Sequence, residues 1–353
     1  MPNRELENPT VIAFISGKLV TVAMLLNKIF IKQNHVSCRF LKQQSLFHLL
    51  ILYLCYHFLP AMNPKLKIGK TFNDILLIPT DFSPKCDNAV QQGIQMAEKL
   101  KYKVMILHVI DRQNETILNN RESGQECIGI NFQRYKEEFG RDSRLEIETM
   151  VRKSGIVSGI LSVAAEIKAG MLIFGTNGKQ GLEYLFGSNA LKLVLNSPCP
   201  VVVVQKRSFY EGYKNIVLPV NNDTDPRQAV SWILTMCRIY NSRIHLFLSS
   251  ETDISLKNRV KIIAGQISGL LRESNLEYKL ETAGSSRDFV QQVIAYASDS
   301  GSDLIIIMTR PELNPMGFSL TGWNEKIMFN QDQIAVMCIN PIKVGEQVID
   351  WMG

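Results

Sequence analysis

From residue 74 onward the chain alternates short apolar runs with stretches where apolar residues return every three or four positions. DILLIPT (74–80), YKVMILHVI (102–110), EIETMV (146–151), MLIFG (171–175) and VVVVQ (201–205) predict five strands, being short and rich in aliphatic and β-branched side chains. After the first, Ala89, Val90, Gly93, Ile94 and Ala97 share one face of a predicted helix, which Ser83 would cap and Pro84 would open. SGIVSGILSVAAEIKAG predicts another helix, with Ile160, Val163, Ala164 and Ile167 on one face and Gly170 at its end. A further helix is predicted from Ser188, as its N-cap, to Asn196, stopped before Pro198. Near-continuous apolar strands separated by helices imply a parallel sheet covered on both faces.

The pattern then repeats. NIVLPV (215–220) matches DILLIPT, RIHLFLS (243–249) matches KVMILHV, DLIIIMT (303–309) matches MLIFGT, and IAVMCINP (334–341) matches PVVVVQK. Asp225-Pro226 takes the place of Ser83-Pro84. The offsets of about 132 to 142 residues are those of a duplicated domain. Two α/β domains are expected, residues 72–207 and 212–345, joined through KRSFYEGY (206–213). Each is a doubly wound, five-stranded parallel sheet. The fifth strand of each would be a bare edge, and pairing those edges within one chain would give a pseudo-twofold monomer.

Residues 1–71 break the pattern and form an atypical extension. Two apolar blocks, VIAFISGKLVTVAMLL and LFHLLILYLCYHFL, flank a polar, basic stretch. The second is shorter than the roughly 20 residues that cross a bilayer, and the arrangement fits a signal peptide poorly. A membrane-surface anchor, a packed helical extension and a natural start at Met62 are the readings, and the start at Met62 is favoured. This segment also holds most of the charge. The net charge is +6, and residues 1–62 carry six Lys/Arg against two acids, leaving about +2 for the rest. A nearly neutral remainder gives no broad nucleic-acid footprint. Seven scattered cysteines without a CxxC pair favour reduced thiols and a cytoplasmic setting.

The densest glycine cluster is GTNGKQGLEYLFGSNA (175–190). Glycine lets a backbone turn sharply and approach a ligand closely. In an open α/β sheet ligands sit beyond the carboxyl ends of the strands at the switch point. Asp81 follows the first strand and Gly175 ends the fourth, the two strands that should flank that point. Glycine N–H groups and a following helix N-terminus would face an anion. Each residue also has a structural reading. Asp81 serves as a turn residue before a capped helix, Ser188 as an N-cap, Leu182, Leu185 and Phe186 as packing, Lys179 as a solvated loop cation and His108 as a structural strand residue. Asp223 and Asp225 read better as turn and cap than as metal ligands. The P-loop pattern Gly-x-x-x-x-Gly-Lys-Ser/Thr is absent.

Taken together, IPTDFSP (78–84), LHVID (107–111), GTNG (175–178), GSNALKLV (187–194) and SPCPVVVVQ (197–205) make the chain resemble a tandem universal stress protein, over about residues 72–342. The resemblance implies an adenine-nucleotide alpha-hydrolase-like fold and a regulator of stress response that binds ATP or another adenine nucleotide, with magnesium as a companion ion. Asp81 would hydrogen-bond the adenosine part. The backbone at Pro79 and Val109 would line the base, and Gly175, Gly178, Gly187, Ser188 and Asn189 would hold ribose and phosphates. One departure stands out: KQGLEYLF, between Gly178 and Gly187, is one residue shorter than the family's ATP-binding spacing. In the second half TRPE (309–312) replaces GTNG, Asn221 stands near the place of Asp81, and GFSLTGW (317–323) lacks a Gly-Ser helix start. One site per chain is therefore expected, with the second half structural or regulatory. No general base or acidic metal cluster accompanies the loop, so at most weak ATP hydrolysis is expected. The rival reading is a nucleotide-free interaction scaffold. A protein partner and a homodimer are both compatible with either.

Overall fold

The computed structural model describes residues 72–111, 124–140, 145–176, 184–207, 212–222, 226–309 and 323–341. These belong to one compact unit that begins at Lys67. The N-terminal blocks, Asp223, Asp225, Arg310 to Glu312 and most of GFSLTGW lie outside the described residues.

Among the described residues ten strands form one sheet. They are β1 (Ile75–Thr80), β2 (Lys103–Ile110), β3 (Ile147–Lys153), β4 (Met171–Gly175), β5 (Val201–Val204), β6 (Asn215–Val220), β7 (Arg243–Leu248), β8 (Tyr278–Thr282), β9 (Leu304–Met308) and β10 (Ala335–Ile339). Their order is β3-β2-β1-β4-β5-β10-β9-β6-β7-β8. All described pairings are parallel except that of β5 with β10, which is antiparallel through Val203↔Val336, Val202↔Met337 and Val201↔Cys338. The edges of the two predicted five-strand sets thus pair with each other.

Among the described residues eight helices accompany the strands: α1 (Pro84–Leu100), α2 (Gly124–Glu138), α3 (Ile156–Glu166), α4 (Tyr184–Asn196), α5 (Val230–Tyr240), α6 (Ile254–Glu273), α7 (Phe289–Asp299) and α8 (Trp323–Met328). Side chains alternate between faces along each strand. Leu76 and Ile78 point into one core with α1, α2, α5 and α6. Leu77 points into a second core with α3, α4, α7 and α8. This two-sided burial is why the strands read as continuous apolar runs.

Several local expectations change. α3 ends at Glu166, and the left-handed residue beyond it is Lys168, at φ 50°, not Gly170. Gly170 has another duty. Its N–H bonds Ile75 O at 2.9 Å, and a Cβ there would stand 2.7 Å from Asn73 O. The residue must be bare for β4 to lie against β1. Ser83 is the N-cap residue of α1 but accepts no helix N–H on its side chain; its hydroxyl is turned toward Asp81, to which it donates. α4 begins at Tyr184, so Ser188 lies inside it and is not its cap. α5 is preceded by a tight 3-10 turn, Pro226–Ala229.

Polar side chains stitch the β5–β10 seam from both sides. Asn340, after β10, donates to Val194 O and Ser197 O, each at 2.9 Å. Gln205, after β5, donates to Met328 O at 3.3 Å and Asn330 O at 3.2 Å. Tyr213, wholly buried in the linker, donates to Gln92 of α1 at 3.2 Å.

Candidate functional site

The strand order β2-β1-β4 places a switch point between β1 and β4. Those two strands pair only at Leu76↔Met171 and Leu77↔Leu172, and both continue past that ladder. The helix after β1 packs on one face of the sheet and the helix after β4 on the other. Chain therefore leaves the two neighbouring carboxyl ends in opposite directions and a crevice opens between them. Pro79, which has no N–H to offer, stands in the stretch of β1 beyond the ladder.

Asp81 lies at the rim and is exposed. Its Oδ1 accepts from Ser83 N at 3.0 Å, from the Ser83 hydroxyl and from Cys86 Sγ at 3.1 Å. This is a side-chain-closed turn of the kind aspartate favours. Burial, and then the negative charge of Asp81, push the Cys86 thiol up to about 11, so it stays protonated and donates. Between Asp81 and Ser83 the chain passes through Phe82 at φ 61°, a region unfavourable for a bulky residue. Packing holds it there. The ring stacks on His108 at 4.6 Å and meets Phe132 edge-on at 5.2 Å, and Phe82 N donates to Thr80 Oγ1 at 2.9 Å.

His108 is structural in this setting. Its Nδ1 lies 2.9 Å from Thr80 O, a pure acceptor, so Nδ1 carries the proton. Thr80 Oγ1 shares a bond of 3.0 Å with the hydroxyl of Tyr135, whose side chain is wholly buried. α2 is fixed over this end of the sheet by that bond and by Arg134, which grips both Asp87 oxygens at 2.9 and 3.3 Å. Phe82, Cys86 and Tyr135 thus shape the rim beside Asp81. The sequence signal for Phe82 and Cys86 was their place in DFSPKC. Tyr135 had no such signal, since α2 was not predicted.

The predicted residues divide as follows. Pro79, Asp81, Val109 and Gly175 sit at or next to the carboxyl ends of β1, β2 and β4. Val109 turns its side chain into the core beside Gly159, leaving only its backbone for other contacts. Asn189 is half-buried on α4. Gly187 and Ser188 belong to the first turns of α4, and their surroundings, like Gly178, Lys179 and Leu182, lie outside the described residues. A helix that starts at Tyr184 has the unpaired N–H groups of its first turn before Gly187 and Ser188. In the second half Asn221 is buried, at 4% exposure, where Asp81 is open. Among the described residues no three His, Cys, Asp or Glu side chains converge as metal ligands.

Comparisons with known proteins agree with this geometry. Residues 73–205 match the model of the Universal stress protein family. A universal stress protein of Methanocaldococcus jannaschii is 28% identical over 157 residues, covering 41% of this chain and 89% of its own. The crystal structure of a universal stress protein from Archaeoglobus fulgidus superposes with a TM-score of 0.60 at 13% identity, over 76% of this chain and 98% of its own. A functionally unknown protein from Pseudomonas aeruginosa gives 0.52 at 14% identity, over 76% and 93%. At such identities the structures speak for the fold alone: an α/β protein with a mostly parallel, many-stranded sheet. With the family match over β1 to β5, the chain carries one universal stress protein domain, at residues 73–205.

Proposed function

We propose that this chain is a tandem universal stress protein that binds an adenine nucleotide, ATP or AMP in type, in the crevice of its first half and acts as a cytoplasmic regulator in stress response. The observation that carries the reading is the parting of β1 and β4 with Asp81 exposed at the rim. Asp81 would accept hydrogen bonds from the adenosine part. The backbone at Pro79 and Val109 would line the base. Gly175, Gly178, Gly187, Ser188 and Asn189 would surround ribose and phosphates, with the α4 N-terminus favouring negative charge. Any magnesium would arrive on the phosphates, since no ligand cluster for it stands among the described residues. The second half, with the same strand order and a buried Asn221 in place of Asp81, is assigned a structural or regulatory role.

One observation favours the rival, a nucleotide-free interaction scaffold. Asp81 Oδ1 already receives donors from Ser83 and Cys86. Native mass spectrometry of the gently purified protein, with thermal shift on adding ATP, separates the two. A co-purified adenine nucleotide, and a melting temperature raised by ATP in the wild type but not in Asp81→Ala, supports binding. Apo protein with no ATP-induced shift supports the scaffold.

A further inference from the structure

One face of the sheet is covered by four helices, α2, α1, α5 and α6. α2 leads into edge strand β3 and α6 into edge strand β8, so these two lie at the ends of the layer. They also carry four of the six large apolar side chains that solvent reaches among the described residues. On α6, Ile254 is 76% exposed, Ile262 60% and Leu256 38%; on α2, Ile130 is 62% exposed. Ile254 and Ile262, eight residues apart, fall toward the outer side of α6, whereas Leu256 falls on the side of its buried residues; an exposed apolar stripe rimmed by charge is a mark of an interaction surface.

The two patches differ in charge. α6 exposes Lys257, Arg259, Lys261 and Arg272, with Glu273 its only acid. On α2, helical spacing lines up Glu126, Ile130, Gln133 and Glu137 along one exposed stripe. The cation nearest that stripe, Arg134, is already held by Asp87 and Glu138. α2 therefore offers an isoleucine between two carboxylates, and α6 offers isoleucines among cations. Glycines accompany both. At Gly129, Gly265 and Gly269 an added Cβ would meet nothing within 4 Å, so no contact inside the chain requires them bare. Glycine is a poor helix former, and bare positions on an exposed face let another backbone come close.

We propose that this helical face is the interface of a homodimer in which α6 of each copy packs against α2 of the other. The same contact then occurs twice about a twofold axis, and the assembly closes. Pairing α6 with α6 would set Lys257, Arg259 and Lys261 against themselves, which charge opposes. β5 and β10 are used within the chain and are not free to join copies. The outer strand β3 has one exposed apolar residue, Val151, but is guarded by Glu148, Arg152 and Lys153.

Sedimentation velocity on the full chain from about 1 to 100 μM tests this. The expected mass is twice the 40.0 kDa of one chain. Lys257→Glu with Lys261→Glu should halve it without lowering the melting temperature, as should Ile262→Asp alone. Adding Glu126→Lys and Glu137→Lys to the double reversal should restore the dimer. A wild type that stays monomeric throughout, or a dimer unmoved by the charge reversal, overturns the proposal. So does a dimer broken by Val151→Asp and by none of the α6 variants. A monomer that floats with phosphatidylserine vesicles through Lys257 and Lys261 overturns it too, and reassigns α6 to an anionic membrane surface.

Discussion

His245 is a histidine buried in the second half's core. It is 6% exposed on β7, its Nδ1 lies 2.9 Å from the Tyr296 hydroxyl, and its Nε2 has no partner. Tyr296 in turn stacks on Phe247 at 4.6 Å, so the ring sits under an aromatic lid from α7. Burial, then the cations Lys279 and Arg243, hold the imidazole below its ordinary value of 6.5, with Glu281 opposing weakly. The folded state therefore binds fewer protons than the unfolded one in the window below that value. Stability is full above about pH 6.5 and falls as pH drops through the lowered folded value. The expected result is a melting temperature that declines as pH drops below about 6.5, with the decline reduced in His245→Asn. An equal slope in the variant would assign the loss to other groups.

At the scale of elements, α2 is the most instructive. Its buried residues Ile128, Phe132 and Tyr135 keep helical spacing, yet they alternate with enough charge that no apolar run announces them. What places α2 is contact with other elements: the Thr80–Tyr135 bond and the Asp87–Arg134 ion pair. The ion pair is partly exposed and is worth at most a fraction of a kcal/mol to about 1 kcal/mol. The buried hydroxyl matters more. Tyr135→Phe should cost about 1 kcal/mol in urea unfolding, the typical net worth of one hydrogen bond. It should also loosen the Asp81–Phe82 turn, since Thr80 bonds both Tyr135 and Phe82 N. Faster amide exchange at Phe82 in the variant would report that. Unchanged exchange would mean the aromatic stack alone holds the turn.

The molecule as a whole is defined by its seam. A ten-stranded sheet runs across the β5–β10 pairing without a break in hydrogen bonding. Asn340 satisfies two carbonyls at the end of α4 while its own carbonyl oxygen accepts from Thr309. Gln205 does the corresponding work for carbonyls around α8. Because each side chain bridges the two halves, the halves should unfold together. Calorimetry of the wild type should show a single transition for the unit that begins at Lys67. Asn340→Ala should lower its stability by about 1–3 kcal/mol, the cost of taking the Asn340 donor from the carbonyls of Ser197 and of Val194, the latter keeping only Ser197 N at 3.3 Å. Two separate wild-type transitions would mean that the seam does not couple the halves.

Nine of the ten described strands and helices α1, α3 and α4 were legible in the sequence, the inner strands because a strand buried on both faces must be apolar at every position, whereas the half-exposed edge strand β8 and helix α2 were not. The place of Asp81 and Gly175 was legible too, since residues that end neighbouring strands of an open sheet must meet at its switch point. Other features depended on contacts between residues far apart in the chain. Gly170 read as a helix end but is bare because Asn73 O approaches it, and nothing near Gly170 in sequence records that approach. Ser83 read as a cap, but its hydroxyl is taken by Asp81. Local pattern fixes which segments become strands and helices, since periodicity is a property of neighbours. Only the folded chain decides which atoms of distant segments share a hydrogen bond, and at the crevice that decision sets the geometry of Asp81.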